Sequence, residues 1–513
     1  MALVIAFNLI PLENKEKIIM INSSKSFVIY FDYKPTFFLL AFPIGCMGLV
    51  HFCFAWLSLF TFRDNQASAF FIPSLVMLIS AFILFYKFRQ LDYSKVSPRI
   101  ALLFASISWV VMGLLGAMPI INIAHVSFTD GVFESISALT TTGATILSGL
   151  DDMPKSFLMY RQFLQWLGGL GIVIFVVAVL PLLNVGGMKL LKAETPGPMK
   201  DEKLTPRIQH AARYLWFIYV GATFLCALGY FIAGMGWFDA IAHSFTTIST
   251  GGFSTHDASM GYFQNRWIEI NADIFMLVGA IAFGLHFKFI QTLNPKVYVN
   301  DEETKTFLII VFILSSMLFV MLYKNNTVES AVDNIFHSIF HVISFITSTG
   351  YAAGDFTSWP AQTALLLVFA GYIGGCAGST AGGNKVIRNI LTIKIINKQL
   401  KILLHPHGVF NIKYNGKAID DPVLHSTMVF MSIAATSTLF LTLAVMSTGL
   451  NFWTSLTAIA SCINVLGPAY GELGSNFQPA NDTATWIFSV SMILGRLEYF
   501  TVLVLFTKSF WKP

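Results

Sequence analysis

The sequence carries very little charge for its length. Only 12% of its 513 residues are Asp, Glu, Lys or Arg, about half the roughly 25% of an ordinary soluble chain. A soluble protein covers its surface with charged and polar side chains, and this chain has too few of them. The shortage of charge therefore excludes a set of soluble domains, although the length alone would allow two to four.

Cysteine is scarce as well. The five cysteines are an odd number and lie scattered in apolar or glycine-rich stretches, so neither a disulfide framework nor a zinc site is expected. A Walker loop, a phosphorylatable aspartate motif and a basic start with a cleavage site are also missing. We therefore expect no ATP hydrolysis by this chain and no signal peptide.

What the chain has in abundance is apolar residues, which make up 55% of it. A helix that crosses a bilayer needs about 20 consecutive apolar residues, whereas a strand of an outer-membrane barrel needs only about 10. The long apolar runs predict an all-α, multi-pass membrane protein. Ten spans are predicted, at 37–60, 70–88, 100–124, 157–183, 214–234, 274–290, 307–323, 363–396 (long and interrupted), 428–446 and 486–506.

Four shorter apolar stretches alternate with these spans, at 128–139, 238–248, 335–346 and 452–463. Each is too short to cross a membrane, and each is followed by glycine and polar residues. Irregular backbone at membrane depth is tolerated only where it is buried in protein or lines a water-filled path. We therefore expect four re-entrant helices.

The placement of Lys and Arg predicts the orientation. The four connections opposite the re-entrant helices (87–99, 186–213, 286–305 and 385–417) hold twenty basic residues, and the re-entrant side holds five. Basic loops stay in the cytoplasm, so the re-entrant helices enter from outside. Two interpretations of the outer acids remain open, namely a vestibule that concentrates cations and simple loop solubility. These acids are Asp151, Asp152, Asp257, Asp355, Glu472 and Asp482.

Related residues follow each of the four short stretches. Their glycines are 108, 99 and 117 residues apart. In three of the four segments the glycine is preceded by Thr, and that Thr is preceded by Ser or Thr. The four segments are Thr141, Thr142, Gly143 and Ala144; Ser249, Thr250, Gly251 and Gly252; Ser348, Thr349, Gly350 and Tyr351; and Val465, Leu466, Gly467 and Pro468. Such agreement with the topology predicts a fourfold internal repeat.

The repeat has a physical meaning at the membrane centre. A short helix that enters from outside points its negative C-terminal end inward. Glycine then permits φ angles at which successive carbonyl groups face one way, and four such segments form a ring of oxygens that replaces the hydration shell of a cation. The alternative is four tight glycine turns that only cap the short helices.

Two stretches inside the spans are unusual. The first, 374–384, has five glycines within ten residues, and each costs about 1 kcal/mol relative to alanine in a helix. It predicts a loop that obstructs the path below the ring, or alternatively a helix-packing face, since Gly374 and Gly378 are four residues apart. The second is Arg496 in the middle of the last span, where a charge by default marks function. A structural pair with Glu498 is its alternative.

The order of span, re-entrant helix, Ser/Thr-Thr-Gly segment and span resembles the Trk/Ktr/HKT superfamily of potassium transporters. Two spans precede the first repeat, as in its TrkH branch. The stretches 165–172 (QWLGGLGI) and 193–207 (AETPGPMKDEKLTPR) are similar to that branch. The resemblance covers about residues 36 to 513 and implies two N-terminal transmembrane helices followed by four channel-like units around a pseudo-fourfold pore.

The resemblance also implies a division of the chain. A cytoplasmic leader at 1–35 precedes a two-helix unit at 36–96. Four pore repeats follow, at 97–195, 196–300, 301–417 (with the glycine-rich loop) and 418–513.

The function implied by the resemblance is potassium uptake across the bacterial inner membrane. A glycine in all four repeats resembles the potassium-selective members, whereas a serine in the first would indicate sodium. Leu466 and Pro468 depart from the pattern and exclude a threonine ligand in the fourth repeat. The family role of a gate is carried over to Arg496 and the loop residues Gly374, Gly375, Gly378, Ser379, Thr380, Gly382, Gly383 and Lys385.

Partners follow from the same resemblance. They are the membrane, a second copy of the chain, and a cytosolic Rossmann-type nucleotide-binding subunit that docks on the basic loops 186–213 and 385–417. Neither nucleic acid nor an organic cofactor is expected, and K⁺ is the transported ion. Channel-like flux and coupling to protons or sodium both remain open, as does weaker discrimination between potassium and sodium.

Other classes of function have weaker support. A solute-specific secondary transporter uses inverted repeats, whereas all four repeats here begin inside. An enzyme is not expected, because we expect the spans to lack buried ionisable clusters. His337 and His341 are i,i+4 neighbours with no carboxylate or thiolate beside them in the sequence, so we expect core histidines rather than metal ligands.

Overall fold

The computed structural model describes residues 34–89, 98–178, 204–328 and 330–511. The leader up to residue 33 and the loop residues 193–203 lie outside these ranges. The chain is mainly helical, and its outer belt is apolar. Phe82, Phe224 and Phe312, for example, are 68%, 67% and 73% exposed. Such a belt is expected where helices face lipid rather than water.

An antiparallel helix pair precedes the repeats. It consists of α1 (Lys34–Trp56), which continues as a π-helix over Leu57–Phe62, and α2 (Ala67–Phe88). The hydroxyl of Ser74 donates to the Gly48 carbonyl at 2.8 Å. This small pair of residues lets the two backbones approach closely, as is common between membrane helices.

The remainder repeats one pattern four times, namely a long helix, a short helix, an irregular return and a further helix. The first repeat contains α3 (Pro98–Ala124), α4 (Phe128–Thr140) and α5 (Lys155–Ala178). The second contains α6 (Leu204–Ile232), α7 (Trp237–Ile248), α8 (Arg266–Ala280), α9 (Phe283–Thr292) and α10 (Lys296–Val299).

The third repeat contains α11 (Glu302–Lys324), α12 (Ala331–Ile346), α13 (Ala361–Ile373) and α14 (Val386–Leu404). The fourth contains α15 (Asp421–Met446), α16 (Phe452–Ile463), α17 (Asp482–Arg496), α18 (Phe500–Leu503) and α19 (Lys508–Trp511). Short 3₁₀ turns lie at Leu150–Asp152, Ser259–Phe263, Phe356–Ser358, Gly471–Leu473 and Val504–Phe506.

The short helices α4, α7, α12 and α16 are the buried centre of the fold. Three of them begin at a capping side chain, since Ser127, Ser330 and Asn451 each accept a hydrogen bond from the N–H three residues later. Such caps start a helix where the chain must turn inward. Every residue of α4 from Gly131 to Thr140 is buried, including the charged Glu134.

The repeats close into a ring. The helix that follows the irregular return of each repeat packs against the short helix of the following repeat: α5 on α7, α8 on α12, α13 on α16, and α17 back on α4. The final contact joins the fourth repeat to the first. The predicted architecture of two helices followed by four repeat units around one axis is therefore the observed one.

Two of the predicted spans are not straight helices. The span at 274–290 divides into α8 and α9, which are bent by 98°, and the span at 486–506 bends by 109° after α17. Among the described residues, six helices are long and apolar enough to cross a membrane, and eight if each bent pair counts as one span. The predicted interruption at 363–396 is confirmed, because residues 374–385 separate α13 from α14.

A small hairpin lies between the third and fourth repeats. Strands β1 (Lys413–Tyr414) and β2 (Lys417–Ala418) pair antiparallel around Asn415 and Gly416, whose φ angles are 46° and 77°. Two residues with positive φ make the type I′ turn that Asn-Gly favours. The hairpin docks on the start of α11, where the Asn415 N–H donates to Glu302 at 3.1 Å.

Candidate functional site

All four short helices end in the same turn. The residue in the left-handed region is Thr141, Thr250, Ser348 or Val465, with φ of 59°, 52°, 56° and 58°. Its N–H bonds the carbonyl three residues back, and the next N–H bonds the carbonyl five residues back. This is a Schellman motif. Glycine usually occupies the left-handed position, and a β-branched residue there is a real outlier. The fold thus holds four strained residues at equivalent places.

A glycine follows two residues after each left-handed residue. These glycines are Gly143, Gly252, Gly350 and Gly467, with φ of 81°, 77°, 78° and 99°. In the second repeat the equivalent glycine is Gly252, so the alignment of Gly251 with the other three is off by one residue. Ser249 belongs to the helix end, and Phe253 takes the place of Ala144. We call 141–144, 250–253, 348–351 and 465–468 the return segments.

The four return segments touch one another in a closed ring. At each glycine, an added Cβ atom would collide with a main-chain carbonyl oxygen of the next repeat. The distance from the added Cβ to the carbonyl oxygen is 2.1 Å for Gly143 and Gly251, 1.8 Å for Gly252 and Thr349, 2.1 Å for Gly350 and Leu466, and 2.7 Å for Gly467 and Thr142. Each glycine is therefore required both for its φ angle and for the close approach.

Side chains of the return segments point back into the protein. Thr142 and Thr349 share hydroxyl hydrogen bonds with Thr140 and Thr347 of their own turns, both at 2.8 Å. The Tyr351 hydroxyl reaches the second repeat and lies 3.2 Å from the Thr247 hydroxyl. These three hydroxyl groups are already bonded within the protein, so main-chain carbonyl groups are the candidate polar groups of the ring. With four helix C-termini pointing at it, this carbonyl ring has the chemistry to hold a dehydrated cation.

The glycine-rich segment is an irregular loop between α13 and α14. Gly374, Gly378 and Gly383 have φ of 74°, 74° and 76°, which no continuous helix allows. The alternative of a helix-packing face at Gly374 and Gly378 is therefore wrong. Within the segment, the Ser379 hydroxyl donates to the Cys376 carbonyl at 2.6 Å, and the Lys385 ammonium donates to the Ala381 carbonyl.

This glycine loop contacts three repeats next to the carbonyl ring. The Thr380 hydroxyl donates to the carbonyl of Ile248, the last residue of α7, at 3.0 Å. The Gly382 N–H donates to the Ser348 hydroxyl at 2.5 Å, and the Gly383 N–H donates to the Asn464 carbonyl at 3.1 Å. These partners lie at the ends of α7, α12 and α16. The loop therefore lies across the inner face of the ring.

Arg496 connects the glycine loop to the remaining repeat. Its guanidinium donates to the Thr380 carbonyl at 3.1 Å and to the Gly168 carbonyl of the first repeat at 3.2 Å. The sequence predicted that Arg496 lies in the middle of a span. In the structure it is the last residue of α17, where the helix ends. Glu498 instead accepts from Arg388 at 2.7 Å. The alternative pair of Arg496 with Glu498 is therefore wrong.

One buried ion pair was not anticipated from the sequence. Glu134 of α4 and Arg161 of α5 form an ion pair whose side chains are both 0% exposed. The residues are far apart in sequence and each stands in an apolar stretch, so only the tertiary fold reveals the pair.

The paired histidines occupy the third short helix. His341 is fully buried, and its ring lies 4.7 Å from that of Trp359. Its Nδ1 is 2.8 Å from the His337 carbonyl. Over the described ranges, no group of three or more His, Cys, Asp or Glu side chains is placed to hold a metal ion. His341 is a core residue, as expected, whereas His337 is only partly buried.

On the predicted outer side, two of the acids tie loops together. Asp257 of the second repeat accepts the N–H groups of Gly149 and Leu150 from the first, at 2.8 and 3.2 Å. Asp151 accepts in return from the imidazole of His256. These carboxylates therefore have a structural task, whichever of the two earlier interpretations holds for the other acids.

The fold and the ring together define a class of protein, namely multi-pass membrane proteins with four channel-like units in one chain. The family model described as a cation transport protein, TrkH, matches residues 66–512. The Trk system potassium uptake protein TrkH of Vibrio parahaemolyticus is 42% identical over 455 residues, which cover 88% of this chain and 94% of the relative. The Trk system potassium uptake protein TrkG of Escherichia coli is 38% identical over 409 residues, which cover 79% and 84%.

A solved structure agrees. The crystal structure of the potassium transporter TrkH from Vibrio parahaemolyticus superposes with a TM-score of 0.87 at 38% identity, covering 94% of this chain and all of that one. The chain belongs to the TrkH family of cation transport proteins. It is a multi-pass protein of the bacterial inner membrane.

Proposed function

We propose that this protein takes up potassium through the carbonyl ring. The observation that carries the proposal is the closed ring of four return segments, each with a positive-φ glycine packed on the next repeat. The relatives are potassium uptake proteins by name, which supports K⁺ as the transported ion. Carbonyl oxygens then replace the water around the ion, and four helix dipoles favour its positive charge.

The proposed ligands are main-chain oxygens of the return segments, with Gly252 and Phe253 in the register of the second repeat. In each segment the sign of φ is positive at the first and third residues and not at the second. Such alternation turns neighbouring carbonyl groups to the same side. The fourth repeat, with Leu466 and Pro468, contributes through its backbone like the others.

We propose that the glycine loop and Arg496 form the gate. They lie on the inner face of the ring and together contact all four repeats. A fixed positive charge there repels a passing cation. Even at an effective dielectric of about 20, two unit charges 4 Å apart repel by about 4 kcal/mol. Opening requires the loop to move and the guanidinium to leave the path.

A homodimer and a cytosolic nucleotide-binding subunit complete the proposal. The relatives are named as parts of a Trk system, and the basic connections on the predicted inner side offer a docking surface. Co-purification with a soluble Rossmann-type subunit is the expected result. A monomer with full, nucleotide-independent activity would contradict it.

The decisive experiment is uptake by cells that lack their own potassium transporters. We expect the wild type to restore growth on low potassium and to carry rubidium in preference to sodium. Gly143→Ser places a side chain against the Gly251 carbonyl and is expected to reduce that preference. Gly149→Ser is the matched control, since Gly149 has a similar φ of 73° with open space around it.

Equal rubidium and sodium flux in the wild type would contradict the proposal. Reversal potentials under imposed proton and sodium gradients, measured in the same preparation, then separate channel-like flux from coupled transport. A coupled mechanism would shift the reversal potential with the gradient of the second ion.

A further inference from the structure

Equivalent positions behind the return segments differ between repeats. Seven residues before the left-handed residue stand Glu134, His243, His341 and Ala458, and four residues after it stand Thr145, Ser254, Ala352 and Ala469. In the first repeat the Thr145 hydroxyl donates to the Glu134 carboxylate at 3.0 Å. In the second, His243 Nε2 lies 3.0 Å from the Ser254 hydroxyl. In the third and fourth, the later residue is alanine and has no polar side chain.

The support in the first repeat is charged. The Glu134 carboxylate also accepts the Ile146 N–H at 3.2 Å and the Arg161 Nε at 2.9 Å. The Arg161 guanidinium in turn lies over the ring of Phe253, 4.2 Å from its centroid. Phe253 belongs to the return segment of the second repeat. One buried ion pair thus touches the two residues that directly follow the first return segment, Thr145 and Ile146, and Phe253 of the second.

Gln165 extends this support one turn further along α5. Its amide donates to the Gly251 carbonyl at 2.7 Å and accepts the Phe253 N–H at 3.1 Å. Residues four apart share one face of a helix, so Arg161 and Gln165 present a single polar face to the second return segment. Both are fully buried.

No equivalent face exists in the second or fourth repeat. Gly168, Gly279 and Gly495 pack in the same way on the carbonyl of the short helix in their own repeat, at 1.8, 2.9 and 2.0 Å for an added Cβ. These glycines fix the register of α5, α8 and α17. Counted from them, the positions of Arg161 and Gln165 hold Ala272 and Met276 in the second repeat, and Phe488 and Met492 in the fourth.

We propose that Glu134, Arg161 and Gln165 form a buried brace that sets the ion discrimination of the carbonyl ring without touching the ion. The inference rests on the proposed potassium pathway. Buried polar groups are costly unless they are paired, and a network of buried hydrogen bonds favours one arrangement of the backbone. Here that backbone carries the Gly251 carbonyl and the segment that follows Ala144. The three residues are positioning residues.

The test is Gln165→Met, which installs the residue found at the matching place in the second and fourth repeats. In purified, reconstituted protein, we expect sodium flux relative to rubidium flux to rise by about tenfold, the factor expected for one lost buried hydrogen-bond pair. Met492→Leu, an apolar exchange at the matching place of the fourth repeat, is the control and should keep the wild-type ratio.

Glu134→Gln is the second variant, with Asp333→Asn as its control. Asp333 also lies on a short helix and pairs with an arginine, Arg266, but at the exposed surface. We expect Glu134→Gln to raise the sodium-to-rubidium ratio and Asp333→Asn to leave it unchanged. If Glu134→Gln does not assemble, the Gln165→Met measurement alone decides, because that variant leaves no buried charge unpaired.

The outcomes separate the inference from the function beneath it. A wild type without rubidium flux, or without preference over sodium, would refute the proposed potassium pathway. A selective wild type whose assembled Gln165→Met variant keeps the same ratio would overturn the brace alone. A purely structural role would lower the amount of assembled protein and leave the flux ratio as it was.

Discussion

The first two repeats and the last two hold the same carbonyl ring by different means. Behind the return segments of the first two lie buried polar side chains, Glu134 with Arg161, and His243. In the last two, alanine (Ala352 and Ala469) stands where the first two have Thr145 and Ser254, although the third repeat keeps the buried His341. The last two carry the glycine loop and Arg496. We infer from this difference that the first two repeats keep the ring rigid, and that the last two carry the movable gate proposed above.

Physical chemistry supports this division. A buried network of hydrogen bonds resists displacement because moving it leaves polar groups unpaired in an apolar interior. The glycine loop has three positive-φ glycines and few side chains, so we expect its displacement to cost less free energy than displacement of the buried network. A homotetramer has four identical quarters and cannot separate these tasks. The predictions that follow test the division, beginning with the ring that both halves share.

The largest effect is expected at the ring itself. In Gly252→Ala the new Cβ would lie 1.8 Å from the Thr349 carbonyl oxygen at a φ of 77°, so the second return segment must move away from the third. We expect rubidium flux to fall by at least about 100-fold, since a misfit of this kind costs several kcal/mol. Flux assays on reconstituted protein provide the measurement.

The control for that substitution is Gly149→Ala. Gly149 has the same backbone handedness, with φ of 73°, but nothing lies within 4 Å of an added Cβ. We expect nearly normal flux. Normal flux in Gly252→Ala as well would show that the ring is not the pathway.

The next effect concerns the movable half. Arg496→Ala removes the link between Thr380 and Gly168 and the positive charge near the ring. We expect basal rubidium flux to rise by at least about tenfold, with the rubidium-to-sodium ratio unchanged, because the rigid half is intact. Arg266→Ala, at an exposed outer arginine, is the control.

Combining Arg496→Ala with a deletion inside the glycine loop should add little, because both changes remove one barrier. Additive increases would mean two separate gates. If Arg496→Ala leaves basal flux as it was, or prevents assembly, Arg496 is structural and the gate proposal fails.

A smaller effect is expected at Glu303, at the start of α11. Its carboxylate accepts the N–H groups of Ala377 in the glycine loop and of Ile387 in α14, at 2.8 and 3.0 Å. Glu303→Gln keeps the shape but weakens both hydrogen bonds, because charged acceptors bind about twice as strongly. We expect basal rubidium flux to rise by about threefold to tenfold.

The neighbouring Glu302→Gln is the matched control, since Glu302 binds Lys394 and the hairpin instead. If both variants raise the flux equally, the effect comes from the N-terminal end of α11 in general. In that case Glu303 has no specific hold on the glycine loop.

The smallest effect is expected at His256 in the outer loops. Burial lowers the pKa of His256, but the hydrogen bonds and charges of Asp239 and Asp151 outweigh it and raise the pKa above the ordinary 6.5. A raised pKa stabilises the fold below pH 6.5, and this stability is lost as pH rises through the folded value. The hydrogen bond from His256 lowers the pKa of Asp151, so that partner stays ionised throughout this range.

Thermal unfolding of the purified protein between pH 6 and 8.5 measures the effect. Relative to His256→Gln, the wild type should lose on the order of 1 °C in its unfolding midpoint as pH rises. Parallel curves for the two proteins would mean that the loop tie contributes no pH-dependent stability.

Much of the architecture could be predicted because the signals for it lie within short stretches of the sequence. Apolar runs, the basic bias and the recurring Thr-Gly segments depend on short stretches, and they predicted the two leading helices and the four repeats. The interruption of the eighth span was also predictable, because five glycines in ten residues cannot support a helix. Arg496 stood out because an apolar span rarely contains a charge.

Other features depend on distant partners. Gly251 and Gly252 look alike in sequence, and only the end of α7 at Ile248 decides which of them is left-handed. The bends after Ala280 and Arg496 carry no proline, and both residues instead bond the glycine loop of the third repeat.

The brace was missed for the same reason. Glu134 and Arg161 stand in separate apolar stretches, and a single sequence gives no sign that they meet. The stretch 165–172, on which the family resemblance partly rests, includes Gln165, but it gives no indication that Gln165 bonds Gly251.

The ring is built once, from four unequal quarters of a single chain. A substitution at Gly350 therefore alters one side of the opening and leaves three as they were, whereas the same change in a tetramer of identical subunits alters all four at once. Selectivity can then drift through small, separately inherited steps. Leu466 and Pro468, which depart from the pattern of the other three repeats, are an example of a change confined to one quarter of the ring.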